Sequence, residues 1–145
     1  KQPILMNSLN IQNTYGHYLK FDLNQFSKII AEYIWIDGTG SSVRSKTRTF
    51  SSKINNLEEI PSWNFDGSST GQAPSNNSEV ILKPVSFYPD PFRGGDNILV
   101  LCTTYNYDLK SGVSSPSNTN FRHYTHDVST SLEENKPMVK ILQHC

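Results

Sequence analysis

The sequence predicts an α+β domain built on one sheet with one or two helices. Several stretches dense in β-branched and aromatic residues read as strands. Turn-rich segments separate them in place of regular βαβ alternation, and helical spacing of apolar residues occurs only towards the two ends. A length of 145 residues suits one domain with its extensions.

Residues 1–14 are polar, with scattered Ile and Leu and no steady period, and read as an arm. Between Thr14 and Phe26, the residues Tyr18, Leu19, Phe21, Leu23 and Phe26 suggest a short amphipathic helix, which Gly16 weakens. Ile29 to Asp37 (IIAEYIWID) predicts a strand, Gly38 to Ser41 a turn that tolerates positive φ, and Val43 to Phe50 the returning strand of a hairpin. Residues 51–62 read as a loop ended by Pro61. The following segment, Trp63 to Thr70, has neither helical nor strand periodicity. Glu79 to Phe87 predicts a strand in which Pro84 marks an edge or a bulge, and Asn97 to Tyr105 is the most apolar strand. Residues 106–118 form a Ser- and Asn-rich loop. Asn120 to Glu134 predicts a helix with Phe121, Tyr124, Val128 and Leu132 on one face, and Met138 to Leu142 is a last apolar stretch. The chain thus divides into an arm and short helix over 1–28, a sheet domain over 29–118 and a helix with its tail over 119–145.

The composition narrows the function. Thirteen basic residues balance thirteen acidic ones, so no global field draws the chain to nucleic acid or an anionic membrane. No apolar run approaches the ~20 residues of a membrane-spanning helix. Hydrophobic residues make up 35% and charged residues 18%, both low, which predicts long polar loops around a modest core. Cys102 and Cys145 make no disulfide framework, and a reducing, cytoplasmic setting is expected.

At Trp63 to Ala73 (WNFDGSSTGQA) the sequence resembles the signature loop of eukaryotic glutamine synthetases. Further blocks agree in order and spacing: AEYIWIDGTG (31–40), RSKTRT (44–49), LKPV (82–85), YPDPFR (88–93), GDNILVL (95–101) and FRH (121–123). The wording YPDPFR is closest to the fungal branch. Several blocks in order are far more specific than one short motif.

The resemblance implies a β-grasp-like mixed sheet over 29–118, the amino-terminal domain of an ATP-dependent ligase that joins glutamate and ammonia through a γ-glutamyl phosphate. In that family the domain closes the active site of a neighbouring subunit in a ring assembly. It also implies roles for Asp66, as the carboxylate that binds ammonium and assists its deprotonation, and for Ser69 beside it. The family's metal-ligating Glu-x-Glu pair has no counterpart in 137–145, which holds no acidic residue. The chain alone is therefore expected to lack the catalytic barrel, to bind no ATP, Mg or Mn of its own, and to be inactive. Expected partners are glutamine synthetase catalytic domains or another protein assembly, in an oligomer. The competing expectation is a non-enzymatic structural or regulatory subunit that reuses the same domain.

Plainer readings compete at each residue. Asp66 precedes Gly67 and can simply form a turn. Arg44, Lys46 and Arg48 share one strand face, where an anion site competes with a solvated edge or intersubunit ion pairs. His123 and His126 sit three apart on a predicted helix without an evident third metal ligand, and His144 with Cys145 reads as a frayed end. Cys102 reads as a buried thiol, and Trp35, Trp63, Phe65, Tyr88 and Phe92 as packing residues.

Overall fold

The strict alternation of β1 (Ile29–Ile36) decides how the domain is built: Ile29, Ala31, Tyr33 and Trp35 are buried, while the residues between them are only partly covered or exposed. Side chains on a strand point to opposite faces in turn, so one face of the sheet carries the core. The computed structural model describes residues 27–132 and, before them, Gly16 alone. The arm over 1–14, the helix expected between Thr14 and Phe26, and the tail with Met138 to Leu142, His144 and Cys145 lie outside the described residues.

β2 (Val43–Phe50) returns antiparallel to β1, with Ile36 opposite Val43. β3 (Trp63–Asp66), β4 (Glu79–Pro89), β5 (Ile98–Tyr107) and β6 (Ser114–Pro116) follow. The order across the sheet is β2-β1-β5-β4-β3, and β6 pairs with the end of β5. β1 and β5 run parallel and every other pair is antiparallel, so the sheet is mixed. This is the expected α+β architecture.

Two strands correct the sequence reading. Trp63 to Asp66, without a recognisable period, is β3, because pairing with residues 79–82 of β4 supplies its register. Ser114 to Pro116, expected as loop, is β6, paired with Tyr105–Tyr107 where β1 no longer flanks β5. Pro84 does mark a bulge, seen as a register shift between Pro84 and Ser86. It lies beyond Leu82, the last residue of β4 that β3 covers.

On the core face, Ala31, Tyr33, Trp35, Leu82, Ile98 and Val100 meet Ile54 and Ile60 from the long 51–62 loop. Burying one such aliphatic side chain stabilises the fold by ~1.5–3 kcal/mol. The sheet curls over this core until its two ends meet. Lys46 of β2 donates from Nζ to the Asn64 carbonyl of β3 at 2.8 Å and lies 3.4 Å from the centre of the Trp63 ring. Trp63 in turn stands edge-on to Tyr33 at 5.3 Å.

The helix α1 (Phe121–Leu132) starts where Asn120 Oδ1 accepts the His123 N–H at 3.1 Å, the bond of an N-cap. Asn120 Nδ2 donates to the Thr104 carbonyl at 3.0 Å, so the same side chain fastens the helix to β5. Phe121, Tyr124 and Val128, expected to form the packing face, are about half exposed or more, at 50%, 48% and 58%.

Candidate functional site

Asp66 ends β3 and begins a single 3-10 turn, Gly67–Thr70. The turn forms because Asp66 Oδ1 accepts from the Ser68 N–H at 2.9 Å and from the Ser68 hydroxyl at 2.6 Å. This is the Asx-turn chemistry that makes Asp-Gly pairs good turn formers. Gly71, at φ 71°, occupies the left-handed region and closes the turn. Ser69 also bonds within the loop, but its hydroxyl donates to the Asp66 backbone carbonyl at 2.9 Å. The carboxylate's main partner is Ser68, and the Ser78 hydroxyl adds a weaker bond.

The turn is fastened to the rest of the domain by the Gly67 N–H, which donates to the Ser78 carbonyl at 2.7 Å, and by two further attachments. Gly38, in the β1–β2 turn, donates its N–H to the Thr70 carbonyl at 2.9 Å. The approach is so close that a Cβ on Gly38 would lie 2.6 Å from that oxygen and closer still to the Gly71 carbonyl oxygen. Gln72 supplies the second attachment, with its side chain reaching Trp35, Ile36 and Thr70.

Asp66 is exposed. The Ser68 hydroxyl first, then the Ser68 N–H, hold its carboxyl below the usual carboxylate range. At neutral pH it is therefore an ionised, outward-facing charge. Among the described residues, the ion pairs involve Asp37, Asp90, Glu32, Asp96 and Asp127, and not Asp66. Such a group attracts a small cation well and is a weak base in this setting.

The other candidate residues fall into structural roles. Arg44 pairs with the buried Asp37 at 3.3 Å, and Arg48 lies 5.7 Å from the centres of both the Phe50 and the Trp63 rings. Lys46 bridges β2 to β3, and Arg48 lies near the same Trp63 ring. His123 sits 3.4 Å from Asp127 and edge-on to Tyr105. No group of three His, Cys, Asp or Glu side chains among the described residues is placed to hold a metal ion. Burial pushes the Cys102 thiol up to about 12. Trp35 belongs to the core and Phe65 packs against it, their tilted rings 4.4 Å apart, whereas Tyr88 and Phe92 are exposed. On the opposite face, a groove of about 220 Å³ runs between Ile34, Ile36, Val43, Val85, Leu101 and Phe121.

Sequence reasoning missed two features. Arg93 bonds both Asp90 and Glu32 at 2.6 Å, tying the 90–97 loop to β1. The Asp-x-x-Arg spacing and the central Glu32 of an otherwise apolar strand were the available signals. Gln72 carried no signal at all.

Comparison with known proteins gives one consistent result. The family described as glutamine synthetase, β-grasp domain, matches residues 27–107. The glutamine synthetase of Emericella nidulans is 50% identical over 119 residues, covering 82% of this chain and 32% of that protein. That of Saccharomyces cerevisiae is 54% identical over 102 residues, covering 70% and 26% respectively. The chloroplastic glutamine synthetase of Daucus carota is 55% identical over 106 residues, covering 72% and 23%. The chain spans about a third or less of the length of these curated relatives.

Proposed function

The chain belongs to the glutamine synthetase family, as its β-grasp domain, and from that premise we propose that its Asp66 loop serves the ammonium side of a glutamine-forming active site. In this reading the domain is set against a catalytic barrel belonging to a neighbouring subunit and closes one side of the site where glutamate, ammonia and ATP react. The observation that carries it is the Asp66 carboxylate, ionised and exposed on a turn that both Gly38 and Gln72 fasten down. Asp66 would hold the ammonium ion. Once the seam is closed and water is excluded, it would also take a proton as ammonia attacks, because desolvation raises a carboxylate's affinity for protons. Ser69 keeps the Asp66 backbone in register through its hydroxyl.

In this reading the nucleotide and its divalent metal are held by the barrel. The buried Asp37 is paired with Arg44, and the buried Asp90 and partly buried Glu32 with Arg93. The donor set does not fit a metal–nucleotide centre, and phosphoryl transfer is not assigned to it. Taken alone, this chain is proposed to be inactive and to work within an oligomer. No helix among the described residues is long and apolar enough to cross a membrane, and a cytoplasmic setting goes with the proposal.

A barrel-only glutamine synthetase chain, mixed with this chain, tests the reading through γ-glutamyl transfer. Activity should appear with the parent chain and fall at least ~100-fold with Asp66→Asn, the scale of a lost proton-transfer group. Absence of both binding and activity would overturn it. A non-enzymatic structural role is favoured by one observation, the exposed apolar side chains Phe92, Val43 and Val128, at 87%, 64% and 58%. It predicts binding that Asp66→Asn leaves unchanged and no activity with either chain.

A further inference from the structure

We propose that Gln72 is a positioning residue for Asp66: its one side-chain amide latches the Gly67–Thr70 turn to the sheet and so fixes where the carboxylate is presented. The catalytic consequence rests on the ammonium-loop reading above, whereas the latch itself rests on geometry alone.

Gln72 is 9% exposed and lies two residues beyond the turn. Its Oε1 accepts from the Trp35 indole N–H at 3.2 Å and from the Thr70 hydroxyl at 2.9 Å. Its Nε2 donates to the Ile36 carbonyl at 3.1 Å, with the Thr119 and Thr104 hydroxyl oxygens at 3.3 and 3.5 Å. The partners come from β1, from the turn, from the segment before α1 and from β5. Chemistry dictates the orientation of the amide. An indole N–H only donates and a backbone carbonyl only accepts, so the oxygen must face Trp35 and the nitrogen must face Ile36. Turning the amide over would break both bonds in a buried site, where an unpaired polar group is costly.

The main chain of the same residue completes the device. The Gln72 N–H donates to the Gly67 carbonyl at 2.8 Å, closing the turn that the side chain anchors. The path to the carboxylate is short. Thr70 bonds the Gln72 amide, Gly67 follows Asp66 directly, and Ser68 between them donates both bonds that hold Asp66 Oδ1. A side chain that only filled space here would have no such path.

The test is a carbon-detected NMR titration of the Asp66 carboxyl in the full chain, comparing the parent with Gln72→Leu and with the core variant Ile60→Ala. Gln72→Leu should raise the Asp66 midpoint by about half a pH unit or more as the Ser68 bonds loosen. It should also speed amide exchange at residues 67–72 at least ~10-fold relative to β5, the mark of local opening. Ile60→Ala, which lowers stability from a distance, should leave the Asp66 midpoint where it was. An unchanged midpoint in Gln72→Leu, with the Trp35 indole resonance showing that its bond is gone, would overturn the proposal. Should Gln72→Leu fail to fold, Gln72→Asn decides in the same way, since it keeps an amide but is one methylene too short to reach. In the two-chain assay, Gln72→Leu should raise KM for ammonium more than it lowers kcat. Complementation that fails even for the parent chain would remove the ammonium-loop reading, and the titration would still decide the latch.

Discussion

Asp66 and Asp90 open two loops with the same first bond and opposite outcomes. Each lends Oδ1 to the backbone N–H two residues on, from Ser68 at 2.9 Å and from Phe92 at 2.8 Å. Beyond that bond they diverge. The Asp90 side chain is fully buried and its Oδ2 meets the Arg93 guanidinium at 2.6 Å, a cation that Glu32 shares. Asp66 is exposed and its bonds come from neutral serine groups. Burial pushes the Asp90 carboxyl up, but the Arg93 side chain and then the loop amides outweigh it and hold the group below the ordinary range. Turn formation and charge presentation are therefore separable tasks of one residue type. The surroundings of the second oxygen decide whether the aspartate staples the fold or faces outward.

The contrast is most exposed to Arg93→Ala. Removing the cation leaves Asp90 buried without its charge partner, and the loss should be about 3 kcal/mol, the low end for a broken buried pair because Arg93 is itself partly exposed. Urea unfolding measures it. A loss below ~1 kcal/mol would mean that the triad behaves as a surface pair and that the two loops hardly differ.

Acid sharpens the same comparison with a smaller effect. The folded-state carboxyls of Asp37, Asp66 and Asp90 all lie below the ordinary value of 3.8. Their stabilisation is thus complete above that value and drains away as the pH falls through the folded-state values. The urea midpoint of the parent should be level from about pH 7 to about pH 5 and drop below about pH 4. In Arg93→Ala, burial would be opposed only by the loop amides and Asp90 would rise, so protonation relieves it and the gap to the parent should narrow in acid. A gap of constant width would contradict the assigned role of Arg93.

The smallest stability effect belongs to Asp66→Asn. Asparagine accepts the same Ser68 bond and caps about as well as aspartate, so the urea midpoint should hardly move. A loss matching that of Arg93→Ala would make Asp66 a structural residue after all and erase the distinction between the loops.

Much of this was legible in the residue pattern. β1, β2, β4, β5 and α1 announce themselves because their periodicity is local, as in IIAEYIWI, where every second side chain is buried. β3 and β6 do not, since four and three residues are too few to show a period and their register is lent by β4 and β5. The Asp66 loop was found through the family-like run of residues around it. Local pattern alone left it indistinguishable from any Asp-Gly turn. Gln72 was invisible because its partners Ile36, Thr104 and Thr119 lie 32 to 47 positions away, and nothing in a linear pattern says which distant groups an amide will meet. The exposed face of α1 shows a further limit: spacing says which residues share a face, and the tertiary contacts say what, if anything, covers it.

The bridge from Lys46 to Asn64 bears on how this chain behaves in company. A ribbon of strands ordinarily ends in two rims of unpaired amides and carbonyls, each a template on which another molecule can add itself strand by strand. Here a cation crosses from one rim to occupy a carbonyl on the other, with its charged nitrogen set over an indole. A newcomer pairing at that carbonyl would first have to displace a charged side chain.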